Sequence, residues 1–345
     1  MKDRKLHVAV FFGGEAGSHD LSQESGEWLC YFLPREKYRV TPVRVTPEGA
    51  WQVPLGHLPQ RGPIKRMLTN LFQAVAPVPP KQGLERLLLR PVQALITLLR
   101  GRGGDDGALH GLAQTLGIVT VGSGLPACQQ TSDKHACALR LADIVTPPEA
   151  RRYQPGEALE DIISDVRDFM VPPLFVKPAA QEASVGIREA LSLEELSGAL
   201  REAQSFGDVL IQPRSVGQEV SLTLFDDARG RVQALPATVI VPERARFFDH
   251  LAKRRPGRVQ LFTRADESET VLEAEAIARE VYRELGCRGP VSFDMVAEAD
   301  GSLTLLDVNV VPTLSTLTPL LAQLRVGGVA PGALYDTLIQ RSLGG

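Results

Sequence analysis

The sequence predicts an α/β (α+β) chain in three blocks: an open βαβ-type sheet over 1–125, then two α+β blocks over 126–213 and 214–345. Three observations carry this. Residues 6–12 are a short apolar run ending at Gly13-Gly14, the pattern of a buried parallel strand that leads into a turn. Apolar runs of strand length alternate with helical stretches as far as about 125. From Glu219 onward the signals are antiparallel, closing with 291–297 and 303–308 around the tight-turn sequence Ala299-Asp300-Gly301.

In the first block Asp20, with Gln23 three residues on, has the form of an N-cap and starts a helix to about 32. Residues 38–45 are the next strand. The Pro-, Gly- and Gln-rich stretches near 50–65 and 76–83 read as loops around a short helix. A strand at 94–99 precedes the glycine-rich segment 100–107, then a helix over 109–116 and extended chain at 119–121. In the second block 132–142 is helical and stops before Thr146-Pro147-Pro148. Strands at 174–177 and 209–212 flank a helix over 193–203, introduced by Ser192 and Glu195 in capping-box register. The third block has antiparallel strands at 220–225 and 232–240, a long helix at 271–285, and the final hairpin.

The 345 residues are 43% hydrophobic and 23% charged, which suits two or three packed subdomains. With 38 basic and 41 acidic side chains the net charge is −3, so no global field favours nucleic acid or an anionic membrane. Any anionic ligand must be held by local arrangement. Cys30, Cys128, Cys137 and Cys287 make no CxxC pair and no cluster with histidine, which points to reduced cytoplasmic thiols rather than disulfides or zinc. The apolar run 6–12 follows basic residues as a signal peptide would, but no small-residue cleavage pattern follows it. No apolar run reaches the roughly 18–20 residues that span a bilayer.

Candidate chemistry is concentrated at a few positions. Asp307 and Asn309 are two residues apart on a strand and project to one face, and Asp294 lies on the neighbouring strand. Three oxygen-bearing side chains among apolar neighbours suit a hard cation such as magnesium; they equally suit the polar outer face of an ordinary hairpin. Lys177 ends the apolar run Leu174-Phe175-Val176, and a loop of small residues around Ser184 follows, able to lay backbone N–H groups on a phosphate. Lys134, in Ser132-Asp133-Lys134, is a second phosphate candidate; either lysine could also be a solvated surface charge. Neither Gly13-Gly14 nor the 101–107 loop gives the dinucleotide fingerprint GxGxxG with an acidic residue about 20 positions on, so a nicotinamide site is remote.

Taken in order, these motifs resemble the D-alanine–D-alanine ligase family of ATP-grasp enzymes nearly end to end. The resemblance runs from Val8-Ala9-Val10-Phe11-Phe12-Gly13-Gly14, with His19 and Ser22, through Gly104-Asp105-Asp106-Gly107 and Gly122-Ser123-Gly124. It continues with Asp133-Lys134, Phe175-Val176-Lys177-Pro178, Ser184-Val185-Gly186 and Gly217-Gln218-Glu219. It closes with Phe248-Asp249, Lys253, Phe293-Asp294 and Leu305-Leu306-Asp307-Val308-Asn309-Val310-Val311-Pro312. The resemblance implies an ATP-grasp fold with a Rossmann-like first domain and two antiparallel-sheet lobes that hold ATP between them. It implies phosphate contacts from Lys134, Lys177 and Lys253, a Ser184 loop over the phosphates, and Glu219 on the ribose. The backbone around Gln212 would line the adenine slot, and Asp294, Asp307 and Asn309 would carry two magnesium ions. It also implies amino-acid-like small-molecule substrates and a homodimer, while the charge balance and run lengths above predict no nucleic-acid or membrane partner.

The departures from the family pattern fall mainly at its amino-acid end. Ser18 stands where a glutamate holds the first amino acid's ammonium, and Glu15 is the candidate substitute. Arg100-Gly101 replaces His-Gly, and Arg254 replaces the tyrosine after the lid lysine. Ser292 replaces the hairpin arginine that steadies the oxyanion. Glu182-Ala183 opens the Ser184 loop, Asp307 replaces a glutamate, and Pro312-Thr313-Leu314-Ser315 replaces Pro-Gly-Met-Thr. Arg100, Arg102 and Arg254 are new cations, either substrate-carboxylate sites or solvated loop arginines. Ser184, Glu15 and Arg254 are therefore the expected catalytic set. The expected activity is an ATP-dependent carboxylate–amine ligase with altered substrates; the alternative is an inactive homologue that binds nucleotide or a partner protein.

Overall fold

A computed structural model describes residues 5–14, 17–59, 62–101, 103–181, 184–264 and 268–344. The first sheet is built from β1 (Leu6–Gly13), β2 (Tyr38–Val45), β3 (Trp51–Gln52), β4 (Ala94–Thr97) and β5 (Val119–Thr120) in the order β3-β2-β1-β4-β5. Its neighbours are parallel except β2 with β3. Four helices accompany it: α1 (His19–Phe32), α2 (Ile64–Gln73), α3 (Pro80–Leu88) and α4 (Ala108–Thr115). The continuous apolar run of β1 follows from its central place. Val8, Val10 and Phe12 enter one core, whereas Ala9 and Phe11 enter another on the opposite face. Gly13 ends the strand at φ +97°, where a Cβ would lie 2.2 Å from the Val45 carbonyl oxygen, so no side chain fits.

The second sheet is antiparallel, β6 (Arg151–Tyr153), β9 (Val209–Pro213), β7 (Leu174–Pro178) and β8 (Arg188–Ala190) in that spatial order. It has its own core, formed by Val176 and Ile211 against Ile162 and Val166 of α7 (Leu159–Phe169) and Leu196 and Leu200 of α8 (Leu193–Gln204). Before it come α5 (Leu125–Thr131) and α6 (Lys134–Arg140).

The third sheet runs β13 (Val259–Thr263), β12 (Thr238–Pro242), β10 (Gly217–Asp226), β14 (Val291–Glu298), β15 (Leu303–Asn309), and β11 (Val232–Ala234) also pairs with β10. It is joined by α9 (Glu269–Glu284), α10 (Pro319–Val326) and α11 (Pro331–Gly344). Its apolar face shares one core with the first sheet, whereas the second sheet stands apart. Asp336 of α11 accepts from Lys37 Nζ at 2.6 Å and from Tyr38 at the start of β2, fastening the chain's last helix to its first domain.

Five local expectations need correction. The expected helix over 132–142 is the shorter α6, because the Asp133 carboxylate leaves helical geometry to accept from the N–H groups of His135 and Ala136, and the chain before it forms the separate α5, which ends at Thr131. Asp20 lies inside the first turn of α1; Ser18 is the N-cap position and makes no side-chain cap bond. Ser192 likewise makes none, while Glu195 accepts from the Leu191 N–H at 2.9 Å. The expected strand 232–240 breaks into β11 and β12 at Pro236, which has no N–H to give the ladder. Residues 80–88, partly expected as loop, form α3, with Pro80 at a first-turn position that needs no N–H donor. Among the described residues no helix is long and apolar enough to cross a membrane.

Candidate active site

The β14–β15 register sets Asp294 opposite Asp307 and Ser292 opposite Asn309. Directly opposed residues share a face, and so do residues two apart, so Asp294, Asp307 and Asn309 project together. Phe293, Met295 and Val308 turn the other way into the core. A register shift between Asp294 and Met295 bends the strand beside the carboxylates. Ser221 Oγ on β10 donates to Asp294 Oδ1 at 2.7 Å.

The second block, residues 126–213, brings cations to this face. Lys134, placed by the Asp133 cap at the first position of α6, reaches Asp307 with Nζ 3.1 and 3.2 Å from its two oxygens. Lys177 on β7 is 8% exposed, and burial, with Lys134's charge beside it, pushes its ammonium down to about 8. Burial also raises Asp294, reinforced by the neighbouring Asp307 charge and opposed by Lys253. Asp307 is half-buried, yet it lies below the usual carboxylate range because Lys134's charge and hydrogen bond outweigh desolvation, with Arg100 and Lys253 adding to them. Glu219 on β10 is pushed up to about 7 by burial first and by Asp294 second.

A lid over residues 243–258 links β12 to β13. Lys253 Nζ donates to Ser184 Oγ at 2.9 Å, and Ser184 Oγ to the Phe248 carbonyl at 3.3 Å. Ser184 itself sits at φ +58°, a left-handed conformation uncommon for a residue with a side chain. Phe247 packs edge-on to Phe175 of β7 at 4.9 Å, and Arg246 Nε lies 2.9 Å from Glu189. Under this lid is a cleft of about 1060 Å³ between the second and third sheets, lined by Lys134, Lys177, Ser184, Gln212, Glu219, Lys253, Asp294 and Asp307 among others. A second pocket of about 520 Å³ adjoins it, with Phe248, Lys253, Asp294 and Asp307 in both walls. Asn309 lines only this second pocket, together with Ser292, Arg100 and Thr313.

Nine expected site residues therefore meet around two adjoining spaces. Arg254 does not join them. Its guanidinium turns to the first domain, 3.3 Å from the Gly17 carbonyl oxygen and 3.4 Å from Asp20, and it lines neither pocket. Glu15, Arg102, Glu182 and Ala183 lie outside the described residues. Ser221 is a contact the sequence reading missed, although it is two residues beyond Glu219 on one strand and so shares its face. Among the described residues no three His, Cys, Asp or Glu side chains form a metal-binding group. The hairpin face instead offers two carboxylates and an amide.

An open parallel-sheet domain followed by two α+β lobes that close on a lysine- and carboxylate-lined cleft is an ATP-grasp architecture. Sequence models for the D-ala D-ala ligase N-terminus and the D-ala D-ala ligase C-terminus match residues 7–123 and 148–340. The chain belongs to the D-alanine–D-alanine ligase family. It is 30% identical to the D-alanine–D-alanine ligase of Corynebacterium aurimucosum over 99% of this chain and 98% of that one. It is 27% identical to the D-alanine–D-alanine ligase of Chlorobium limicola, over 97% and 96%. The VanG D-Ala:D-Ser ligase of Enterococcus faecalis superposes with a TM-score of 0.80 over 98% of this chain and 100% of that one, and at 21% identity this speaks for the fold alone.

Proposed function

We propose that the chain is an ATP-dependent carboxylate–amine ligase of the cytoplasm, acting on amino-acid or dipeptide-like substrates through an acyl phosphate. The observation that carries this reading is the meeting of Asp294, Asp307 and Asn309 on one hairpin face with Lys134, Lys177 and Lys253 around two adjoining pockets. Lys134 and Lys177 bind phosphate oxygens, Lys253 holds them from the lid, and Glu219 accepts from the ribose hydroxyls. The backbone at Gln212 lines the base slot. Ser184 steadies the lid through Lys253 and Phe248.

The hairpin donors fit magnesium: all three are hard oxygens, and the raised Asp294 marks a face where buried negative charge wants a cation. Magnesium held there would neutralise phosphate charge. The γ-phosphoryl group passes from ATP to one substrate's carboxylate, leaving ADP. The second substrate's amine attacks the acyl carbon, phosphate departs, and the amine loses a proton to complete the amide. The protein's part is positioning and charge stabilisation rather than covalent catalysis.

A second reading, a nucleotide-binding homologue without turnover, is favoured by one observation. Ser292 is tied into a neutral chain in which its hydroxyl lies 2.9 Å from Thr223 Oγ1, itself donating to Gln323 Oε1 at 2.6 Å. No cation projects from that strand position. ADP release with MgATP and a panel of D- and L-amino acids separates the two. A productive pair is expected, with Asp294→Asn lowering turnover about 10²–10³-fold. Silence across the panel with MgATP bound establishes the second reading, and failure to bind MgATP removes both.

A further inference from the structure

We propose that Arg100 is the residue that selects the second substrate, binding the carboxylate of the amine-bearing acid in the pocket beside the nucleotide cleft. The proposal rests on the ligase reading above and assigns a ligand class to one part of that site.

Arg100 follows β4 in the first domain, yet it is only 5% exposed because it crosses to the third. Its Nη1 donates to the Val311 carbonyl at 2.9 Å and to Thr313 Oγ1 at 3.3 Å, both in the segment after β15. These contacts hold the guanidinium in the pocket wall. Four charged side chains line that pocket, Arg100, Lys253, Asp294 and Asp307, and the last three also line the nucleotide cleft. Arg100 alone among them, within the described residues, belongs to the second pocket only.

The pocket is therefore polar in one sense. Its two carboxylates lie on the edge shared with the cleft, and its own cation lies off that edge. The first turn of α10 lines the same space through Thr318, Pro319 and Leu320, adding the positive end of a helix dipole. An amino acid entering with its amine towards the shared edge brings its carboxylate to the guanidinium, whose planar fork matches a carboxylate. Ser292 is neutral, and the hairpin residues beside it in this wall are two carboxylates and an amide, so the cation comes from another domain.

The test is calorimetry on the full chain loaded with a non-hydrolysable ATP analogue and magnesium, titrated with D-alanine, D-serine and L-alanine and with their carboxamides. At least one acid is expected to bind about 10-fold or more tightly than its amide, and Arg100→Met to weaken that acid about 10- to 100-fold and erase the preference. Arg100→Lys should keep part of the preference, and analogue affinity should be unchanged in both variants. Thr313→Val removes one contact that holds Arg100 but not the charge, and should keep the preference; its loss there would assign Arg100 a purely structural role. Should Arg100→Met fail to fold, Arg100→Lys decides: equal affinity for acid and amide overturns the proposal. Analogue binding with no acid bound also overturns it while the nucleotide half of the ligase reading stands. Absence of analogue binding removes the ligase reading itself.

Discussion

The nucleotide cleft and the pocket beside it are built from one hairpin face but balanced in opposite ways. In the cleft, cations from separate elements already find partners: Lys134 of α6 lies on Asp307 of β15, and Lys253 of the lid donates to the Ser184 hydroxyl. At the pocket wall Ser292 is satisfied by the buried Thr223, itself bonded to Gln323, all neutral groups, and Arg100 is imported from the first domain. The cleft resembles a site prepared for a highly charged ligand, and the pocket one whose preference can change with a single side chain. A buried cation must be matched by an anion or a strong acceptor, so charges that hold phosphates and metal are costly to exchange. A hydroxyl network tolerates substitution more readily.

That contrast can be broken at three points. Lys177→Met removes a buried cation from the cleft, and MgATP affinity should fall about 10- to 100-fold by calorimetry. Unchanged affinity would mean that the phosphates are held elsewhere.

Glu219→Gln tests the cost of burying the cleft's carboxylate. Its proton affinity is raised from 4.5 to about 7, so between those values the folded protein keeps a proton that the unfolded chain has released. Stability from this group is therefore lost as pH rises across that window. In the ligand-free protein, Glu219→Gln should gain on the wild type between pH 5 and pH 8 by on the order of 1–3 kcal/mol, read from denaturant unfolding. A pH-independent difference would show that Glu219 is not desolvated.

The smallest effect belongs to the pocket. Ser292→Ala leaves Thr223 bonded to Gln323, so it should cost about 1 kcal/mol in thermal unfolding and leave MgATP affinity within about twofold. A large loss of nucleotide binding would deny that the two spaces are separable.

Much of the fold is legible locally. The span 38–45 reads as a strand and is one, and the two final runs read as a hairpin and pair antiparallel. Period-two alternation by itself puts Asp307 and Asn309 together, because side-chain direction along a strand is fixed by the backbone. Less legible are α7, α10 and α11, which have no counterpart in the sequence expectations. Two of these begin at Pro319 and Pro331, residues that punctuate a sequence as loop but are tolerated where a first turn needs no donor. Arg254 shows the same limit at the site: its place after the lid lysine suggests a substrate-carboxylate contact, but its guanidinium lies against Gly17 and Asp20.

What the sequence determined alone is the chemistry on offer and the order in which it appears: strands, hairpin, lysines, carboxylates. These depend on backbone periodicity and residue type, which are local. What only the tertiary structure decided is which charge meets which. Lys134 finds Asp307 across 173 residues of chain, and Arg100 finds Val311 across 211. Such pairings are set by how separate sheets pack and by the desolvation that packing imposes, and no window of sequence contains either.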